Sequence, residues 1–395
     1  MKKILTVLLL ILSLATIFAQ NSTDAKFVID KIKTIHPGYS NVLFEKEIDI
    51  LNKEPETIDA MGDMEFFFHL QSIVSNLEDS HTQIGMMEIP GNLYMLPLRF
   101  IYSPDGIHIY ATSSRDADML GAKLISINGF ELEELLKKAN EVLPNDTDTH
   151  LKNNVATYLS FSDFLTAMGI SKSAEASFLI TYKQDGKTKG KILNPVLNEI
   201  ENGSDYILAF QEVPTTYTNG SYYRAMALAD DVLFIQYNTC QDNPQMPVSE
   251  FSRQIIETLK NGNYKKVIID FRYTSGGNSS LLEPLIDQLA ATDLKLYGLI
   301  GKDTFSSAMM NALYFKEKAN ATLVGTETGA KVNHYGEIQV FPLPSNRFML
   351  QISTKYFPLN SNYESSLLPD IYVQTTFEEF AAGFDREVEY CMNDK

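Results

Sequence analysis

Three short segments carry residues that suit chemistry, and all three pair a polar group with a turn. The first is Gly301-Lys-Asp-Thr-Phe-Ser-Ser-Ala308, which follows a predicted strand and opens a predicted helix. A serine there sits near a helix N-terminus, where developing negative charge is favoured. Ser306 reads either as a nucleophile or as a plain helix cap, a role open to Thr304 as well, and this segment alone favours the cap. The second is Ile268-Ile-Asp-Phe-Arg-Tyr-Thr-Ser-Gly-Gly-Asn278, a buried strand that runs into paired glycines. Glycines let backbone N–H groups face outward, as an oxyanion site requires, though such a pair is by itself only a turn. A hydroxyl nucleophile also needs a base, and histidine serves near neutral pH. Of the six histidines, His36 precedes Pro37, His69 falls in an aromatic helix and His108 lies on an alternating strand. His81 stands among polar residues just after a helix, in Leu77-Glu-Asp-Ser-His-Thr82.

The elements that position these residues are legible from periodicity. Residues 22 to about 80 read as helical, with Phe27, Ile29, Ile32 and Ile35 at near-helical spacing before Pro37-Gly38. A second helical run spans Met61 to Leu77. From about 92 to 205 short alternating stretches such as Gly106-Ile-His-Ile-Tyr-Ala-Thr112 predict strands. Gly121-Ala-Lys-Leu-Ile-Ser-Ile-Asn-Gly129 predicts a strand that ends in an Asn-Gly turn, with a helix after it. From Ser221 onward strands at 232–237, 267–271, 296–300 and 322–324 alternate with helices at 248–260, 280–290 and 306–318. That alternation implies an α/β unit whose largely parallel sheet is covered by flanking helices. In such sheets reactive groups gather at the carboxyl ends of strands, where two of the three segments fall.

Taken together, the segments resemble the tail-specific, or C-terminal-processing, serine peptidases, whose relatives include the tricorn core and the interphotoreceptor retinoid-binding proteins. Ile-Asp-Phe-Arg-Tyr-Thr-Ser-Gly-Gly is similar to that family's strand and glycine turn. Thr304-Phe-Ser-Ser-Ala308 is similar to its nucleophile segment, with Ala321-Thr-Leu-Val-Gly-Thr-Glu-Thr-Gly329 following. Leu77 to Thr82 matches its upstream histidine segment, and Tyr363-Glu-Ser-Ser-Leu-Leu-Pro-Asp370 its acidic one. Thr274 stands where the family usually has Asn, and Ser275 where processing proteases often have Gly. The resemblance covers roughly residues 65 to 385. It implies a crotonase-like peptidase core, and Gly121 to Gly129 is similar to the signature of a degenerate PDZ-like module.

The resemblance also implies roles. Ser306 is the expected nucleophile, and Gly276, or Gly277, with Ser307 supplies the oxyanion N–H groups. One version of the family's site makes His81 the base, with Ser80 orienting it and Glu364 completing the relay. The other makes Lys331 the base. The first version is preferred because all its members are present. The implied activity is that of a serine endopeptidase acting on peptides or unfolded protein through an acyl-enzyme. The alternative is a catalytically silent relative that binds apolar ligands or peptides.

Composition narrows the partners. Against 33 Lys and Arg stand 50 Asp and Glu, a net charge of −17. A nucleic-acid surface needs clustered cations, so that partner is excluded, and anionic lipid is disfavoured. Lys2-Lys3, the apolar run Ile4 to Phe18 and Ala19 read as an export signal too short to span a bilayer. A periplasmic or extracellular location is therefore expected, with no membrane attachment after cleavage. Two cysteines, Cys240 and Cys391, allow at most one bridge, and no metal or cofactor is expected. The expected organisation is a signal peptide at 1–19 and a helical segment at 20–90 contributing His81. A PDZ-like strand-rich module follows at 91–205, then the α/β protease domain at 206–395.

Overall fold

The computed structural model describes residues 20–88, 93–197, 206–210, 212–217 and 220–394. The expected signal peptide lies outside the described residues. The chain begins with helices α1 (Gln20–Ile35), α2 (Asn41–Lys53), α3 (Pro55–Asp59) and α4 (Asp63–Ser75). On α4, Phe66, Phe67, Phe68, Leu70, Ile73 and Val74 are all buried. A helix apolar on nearly every side must be enclosed, and each such side chain contributes about 1.5–3 kcal/mol on burial.

Strand β1 (Gln83–Met86) follows, then a strand-rich unit. It holds β2 (Tyr94–Met95), β3 (Leu98–Ser103), β4 (Gly106–Ser113), β5 (Lys123–Ile127) and β6 (Phe130–Glu131). Helices α5 (Leu132–Asn140), α6 (Asp148–Tyr158) and α7 (Ser162–Ala167) interrupt it. Strands β7 (Phe178–Gln184), β8 (Lys187–Leu193), β9 (Val196–Leu197) and β10 (Tyr206–Leu208) complete it. The main sheet runs β10-β4-β5-β7-β8, with β3 added on β4 and β6 on β5. The turn between β5 and β6 is Asn128-Gly129, with φ of 53° and 84°. Those two left-handed residues suit the tight hairpin that pairs Ile127 with Phe130. One continuous core joins this unit to the N-terminal helices.

The remaining chain alternates. Strands β11 (Tyr223–Ala229) and β12 (Val232–Tyr237) lead to α8 (Val248–Asn261), β13 (Lys266–Asp270), α9 (Glu283–Leu289) and β14 (Lys295–Ile300). Then come α10 (Ser307–Ala319), β15 (Thr322–Gly325), β16 (His334–Pro342), β17 (Phe348–Phe357) and β18 (Ile371–Tyr372). Helices α11 (Phe377–Ala381) and α12 (Arg386–Asn393) end the fold. Six strands form a sheet in the order β11-β12-β13-β14-β15-β18, parallel except for β11 against β12. Alternation along β12 and β13 sends Leu233, Ile235, Val267 and Ile269 toward helices α8, α9 and α10. It sends Val232, Phe234 and Ile268 to the other face, against Val388 and Cys391 of α12. Helices on both faces of a largely parallel sheet match the expected α/β architecture.

Two features were not expected. The long hairpin β16–β17 pairs with β1 in a separate antiparallel sheet, in the order β1-β17-β16. The C-terminal helix α12 closes the second face of the parallel sheet. The cysteines are both free and buried, Cys240 in the core on one side of that sheet and Cys391 in the core on the other. The sheet between them prevents a bridge. Among the described residues no helix is long and apolar enough to cross a membrane.

Candidate functional site

Strand β14 ends at Ile300, and the chain turns through Gly301–Phe305 before α10 begins at Ser307. Ser306 occupies the position just ahead of the helix, at φ 52° and ψ −126°, and makes no side-chain capping bond. The simpler reading of this serine, as a cap, therefore does not hold. A non-glycine residue in that conformation costs about 1–3 kcal/mol, and surrounding contacts must enforce it. They do so through the neighbouring loop. Thr304 Oγ1 donates to the Phe271 carbonyl at 2.9 Å and accepts the Gly301 N–H at 3.0 Å. Phe305 N–H donates to the Thr274 carbonyl at 3.0 Å, and Ser307 Oγ to the Gly277 carbonyl at 2.7 Å. Thr274 is fully buried, its hydroxyl donating to the Tyr237 carbonyl.

The glycine turn is built to approach this serine closely. At Gly276, φ is +115°, and a Cβ would lie 2.8 Å from Ser306 Cβ and 3.2 Å from Ser307 N. At Gly277, φ is +136°, and a Cβ would meet the Cys240 carbonyl oxygen at 2.3 Å. That contact is with backbone, so no side chain can move aside. Gly277→Ala should accordingly destabilise the fold by about 2 kcal/mol or more. Thermal unfolding checks this, and an unchanged midpoint would contradict the packing described. Gly276 and the backbone nitrogen of Ser307, at the start of α10, both lie close to Ser306.

His81 reaches this place from the far end of the sequence because of the unexpected hairpin. The histidine segment leads directly into β1, whose Gln83 pairs with Gln351 of β17. Gln351 Nε2 donates to the His81 carbonyl at 2.9 Å, and Ser353 N–H to Thr82 Oγ1 at 3.0 Å. The His81 ring packs on Phe305, the residue before Ser306, with centroids 4.6 Å apart. On another side it stacks on His334 at 5.4 Å. His81 is buried, yet neither ring nitrogen makes a hydrogen bond. Its base capacity is uncommitted, and no hydrogen bond to Ser306 is present. Catalytic bonds of this kind commonly tighten only when substrate binds.

Behind His81 stands Asp79, to which the motif resemblance assigns no role. Asp79 Oδ1 accepts the His81 N–H at 2.9 Å and lies 3.7 Å from His81 Nδ1. Its Oδ2 accepts from His36 Nε2 at 3.1 Å and from Thr82 Oγ1 at 2.6 Å. Burial alone would push the carboxyl up, but hydrogen bonds from the His36 ring and Thr82, with the nearby His81 ring, outweigh it and hold it well below the usual range. The available signal was the Asp-x-His spacing, since an aspartate commonly accepts the N–H two residues ahead. Burial, and then the neighbouring charge of His81, pushes His150 and His334 down to about 4, so both are neutral at pH 7.

The other expected residues lie to one side. Ser80 is buried, and its hydroxyl donates to Asp146. Glu364 is exposed and makes no bond to Ser80. Lys331 is half-buried beside Ala330. Asp146, Lys331 and Glu364 share a cavity of about 980 Å³. The structure thus places Gly276 and Ser307 against Ser306 and packs His81 on Phe305, the residue before it, with Ser80 adjacent to His81 in the chain. Lys331 and Glu364 stand on the wall of the neighbouring cavity. Among the described residues no cluster of His, Cys, Asp or Glu is arranged to hold a metal ion.

No protein-family model matches the chain, and no curated protein does. Among solved structures, a serine-to-alanine mutant of CPAF aligns with a TM-score of 0.64 at 13% identity, covering 96% of this chain and 99% of that one. Mature CPAF complexed with lactacystin gives 0.62 at 12%, covering 95% and 97%. The photosystem II D1 C-terminal processing protease covers 92% of this chain and 98% of its own at 11% identity, with a TM-score of 0.41. The chain takes the CPAF fold over nearly its whole length.

Proposed function

We propose that this chain is an exported serine-type peptidase that hydrolyses peptide bonds in peptides or unfolded proteins through an acyl-enzyme. The observation that carries the reading is the Ser306 backbone. A serine held at φ 52° and ψ −126°, not capping its helix and closely approached by Gly276, is a strained residue with an unspent hydroxyl. In the proposed reaction the Ser306 Oγ proton passes to His81 as the Oγ–carbonyl bond forms. The N–H groups of Gly276, or Gly277, and Ser307 stabilise the resulting oxyanion. The proton then moves from His81 to the leaving amine as the C–N bond breaks, and water releases the acyl group by the reverse path. Asp79 orients the imidazole and stabilises its cation.

Export rests on Lys2-Lys3 and the apolar run to Phe18. The crotonase-like name for the parallel sheet and the PDZ-like name for the module of β2–β10 rest on the motif resemblance. In that reading the module holds an extended chain end by strand addition.

His81 is preferred to Lys331 as base because it packs against the residue before Ser306, while Lys331 faces the cavity. A fluorophosphonate probe should label the wild-type protein at Ser306, and a binding protein without the chemistry should not label. His81→Ala should slow labelling and hydrolysis by about a thousandfold or more, and Lys331→Ala by less than about tenfold. The opposite order would make lysine the base. Absence of labelling would sink the peptidase reading altogether.

A further inference from the structure

Ser80 precedes the proposed base, and the group it bonds is Asp146. Asp146 lies in the turn ahead of α6 and is 9% exposed. The turn is pinned by its next residue: Thr147 Oγ1 donates to the Gly329 carbonyl at 2.7 Å and accepts the His150 N–H at 3.0 Å. The carboxyl is thus held between the histidine segment on one side and the Gly329–Lys331 segment on the other. Its electrostatic neighbours come from both. His81 and Lys331 attract its charge, and Asp79 repels it. Glu78, Glu141, Asp148, Glu327 and Glu364 also line the same cavity and add negative charge.

A carboxyl so enclosed, with one hydroxyl donor and a like charge nearby, is an expensive feature of a fold. Burial pushes it up to about 6, although Ser80, His81 and Lys331 pull the other way. Asp146 therefore changes charge in the range where histidines titrate. Glu364, the acid expected behind Ser80, is exposed and too well solvated to exert comparable influence.

We propose that Asp146 is a positioning residue for His81, acting on it through the bond to Ser80 and through its carboxylate charge. The inference rests on the peptidase reading and deepens it. Both routes pass by a single buried group that the peptide chain delivers from the strand-rich module. The orientation of the base is thereby tied to docking of that module on the parallel sheet.

The test uses the full-length protein and three variants, Asp146→Asn, Glu364→Gln and Ser306→Ala. The readouts are the pH profile of fluorophosphonate labelling, the pH profile of peptide hydrolysis and the thermal midpoint. In Asp146→Asn the amide oxygen can still accept from Ser80, but the charge is gone. The imidazolium form of His81 loses a stabilising neighbour, so the acid limb should move down by about half a pH unit to one unit. The plateau should fall about tenfold. Because folding favours the protonated form of Asp146, its charge costs stability above pH 6, and that cost vanishes below about pH 4. The Asn variant should therefore melt higher than wild type at pH 7 and equal to it at pH 4. A residue with only a packing role would lower the plateau and the midpoint without moving the limb. An unmoved limb in Asp146→Asn, or a moved limb in Glu364→Gln instead, overturns the proposal while leaving the peptidase reading intact. Wild type that does not label, or Ser306→Ala that labels equally, overturns that reading and this inference with it.

Discussion

Ser306→Ala is expected to lower peptide hydrolysis by roughly 10⁵-fold or more, with thermal stability nearly unchanged. Ser306→Gly should abolish activity to the same extent and raise stability by about 1 kcal/mol. The two outcomes separate chemistry from strain. Both substitutions remove the Oγ that would form the acyl bond, so both lose catalysis. Alanine keeps a Cβ and so keeps the unfavourable conformation at φ 52° and ψ −126°. Glycine adopts that conformation freely, and part of the gain is offset by the larger entropy of its unfolded chain. The strain is imposed by the bonds from Phe305 to Thr274 and from Ser307 to Gly277, which neither variant touches. Initial rates on an unfolded protein substrate, with calorimetry on the same samples, decide the matter. Wild-type rates in Ser306→Ala would remove Ser306 from the mechanism. Failure of Ser306→Gly to stabilise would mean that the serine conformation is not the strained element.

The parallel sheet was legible in the sequence because its strands are buried on both faces. Such strands read as unbroken apolar runs, as in Val232-Leu-Phe-Ile, and the helices between them show clean periodicity, as on α8 with Val248, Phe251 and Ile255. The hairpin β16–β17 was not legible. Glu337–Val340 face solvent on every residue, so the period-2 signal is absent there. Yet this hairpin delivers the histidine segment to Ser306, by pairing β1 with β17. Ser306 and Gly276 could be named only once the segments were read together, since each alone reads as a cap or a turn. The carboxylates could not. Asp79 is distinguished by bonds to His36 and Thr82, and Asp146 by a contact across 66 residues. Glu364 had the expected motif ahead of Pro369-Asp370 but is exposed, since no spacing rule reports burial.

Asp79→Asn should lower kcat by about 10⁴-fold while KM changes little. The reason is the donor count around this carboxylate. His36 Nε2, Thr82 Oγ1 and the His81 N–H all donate to it. The His36 tautomer is fixed, because its Nδ1 accepts the Gly38 N–H at 3.1 Å and the proton must sit on Nε2. Thr82 is fixed too, since its oxygen accepts from Ser353 N–H. An asparagine amide would set its own N–H₂ against one of these donors, and His81 would lose the charge that stabilises its cation. Stability should fall with activity. The folded carboxyl is held well below its ordinary value, so its contribution is complete above about pH 4 and is lost as pH falls below that. Asp79→Asn should be less stable than wild type at pH 7 by roughly 3 kcal/mol, the scale for breaking a buried charged network. The gap should narrow as the solution is acidified. Steady-state kinetics and denaturant unfolding across pH measure both halves. A variant with near-normal kcat would show that His81 is oriented without Asp79. A stability gap that widens toward acid would show that the carboxylate is not the group sustaining this network.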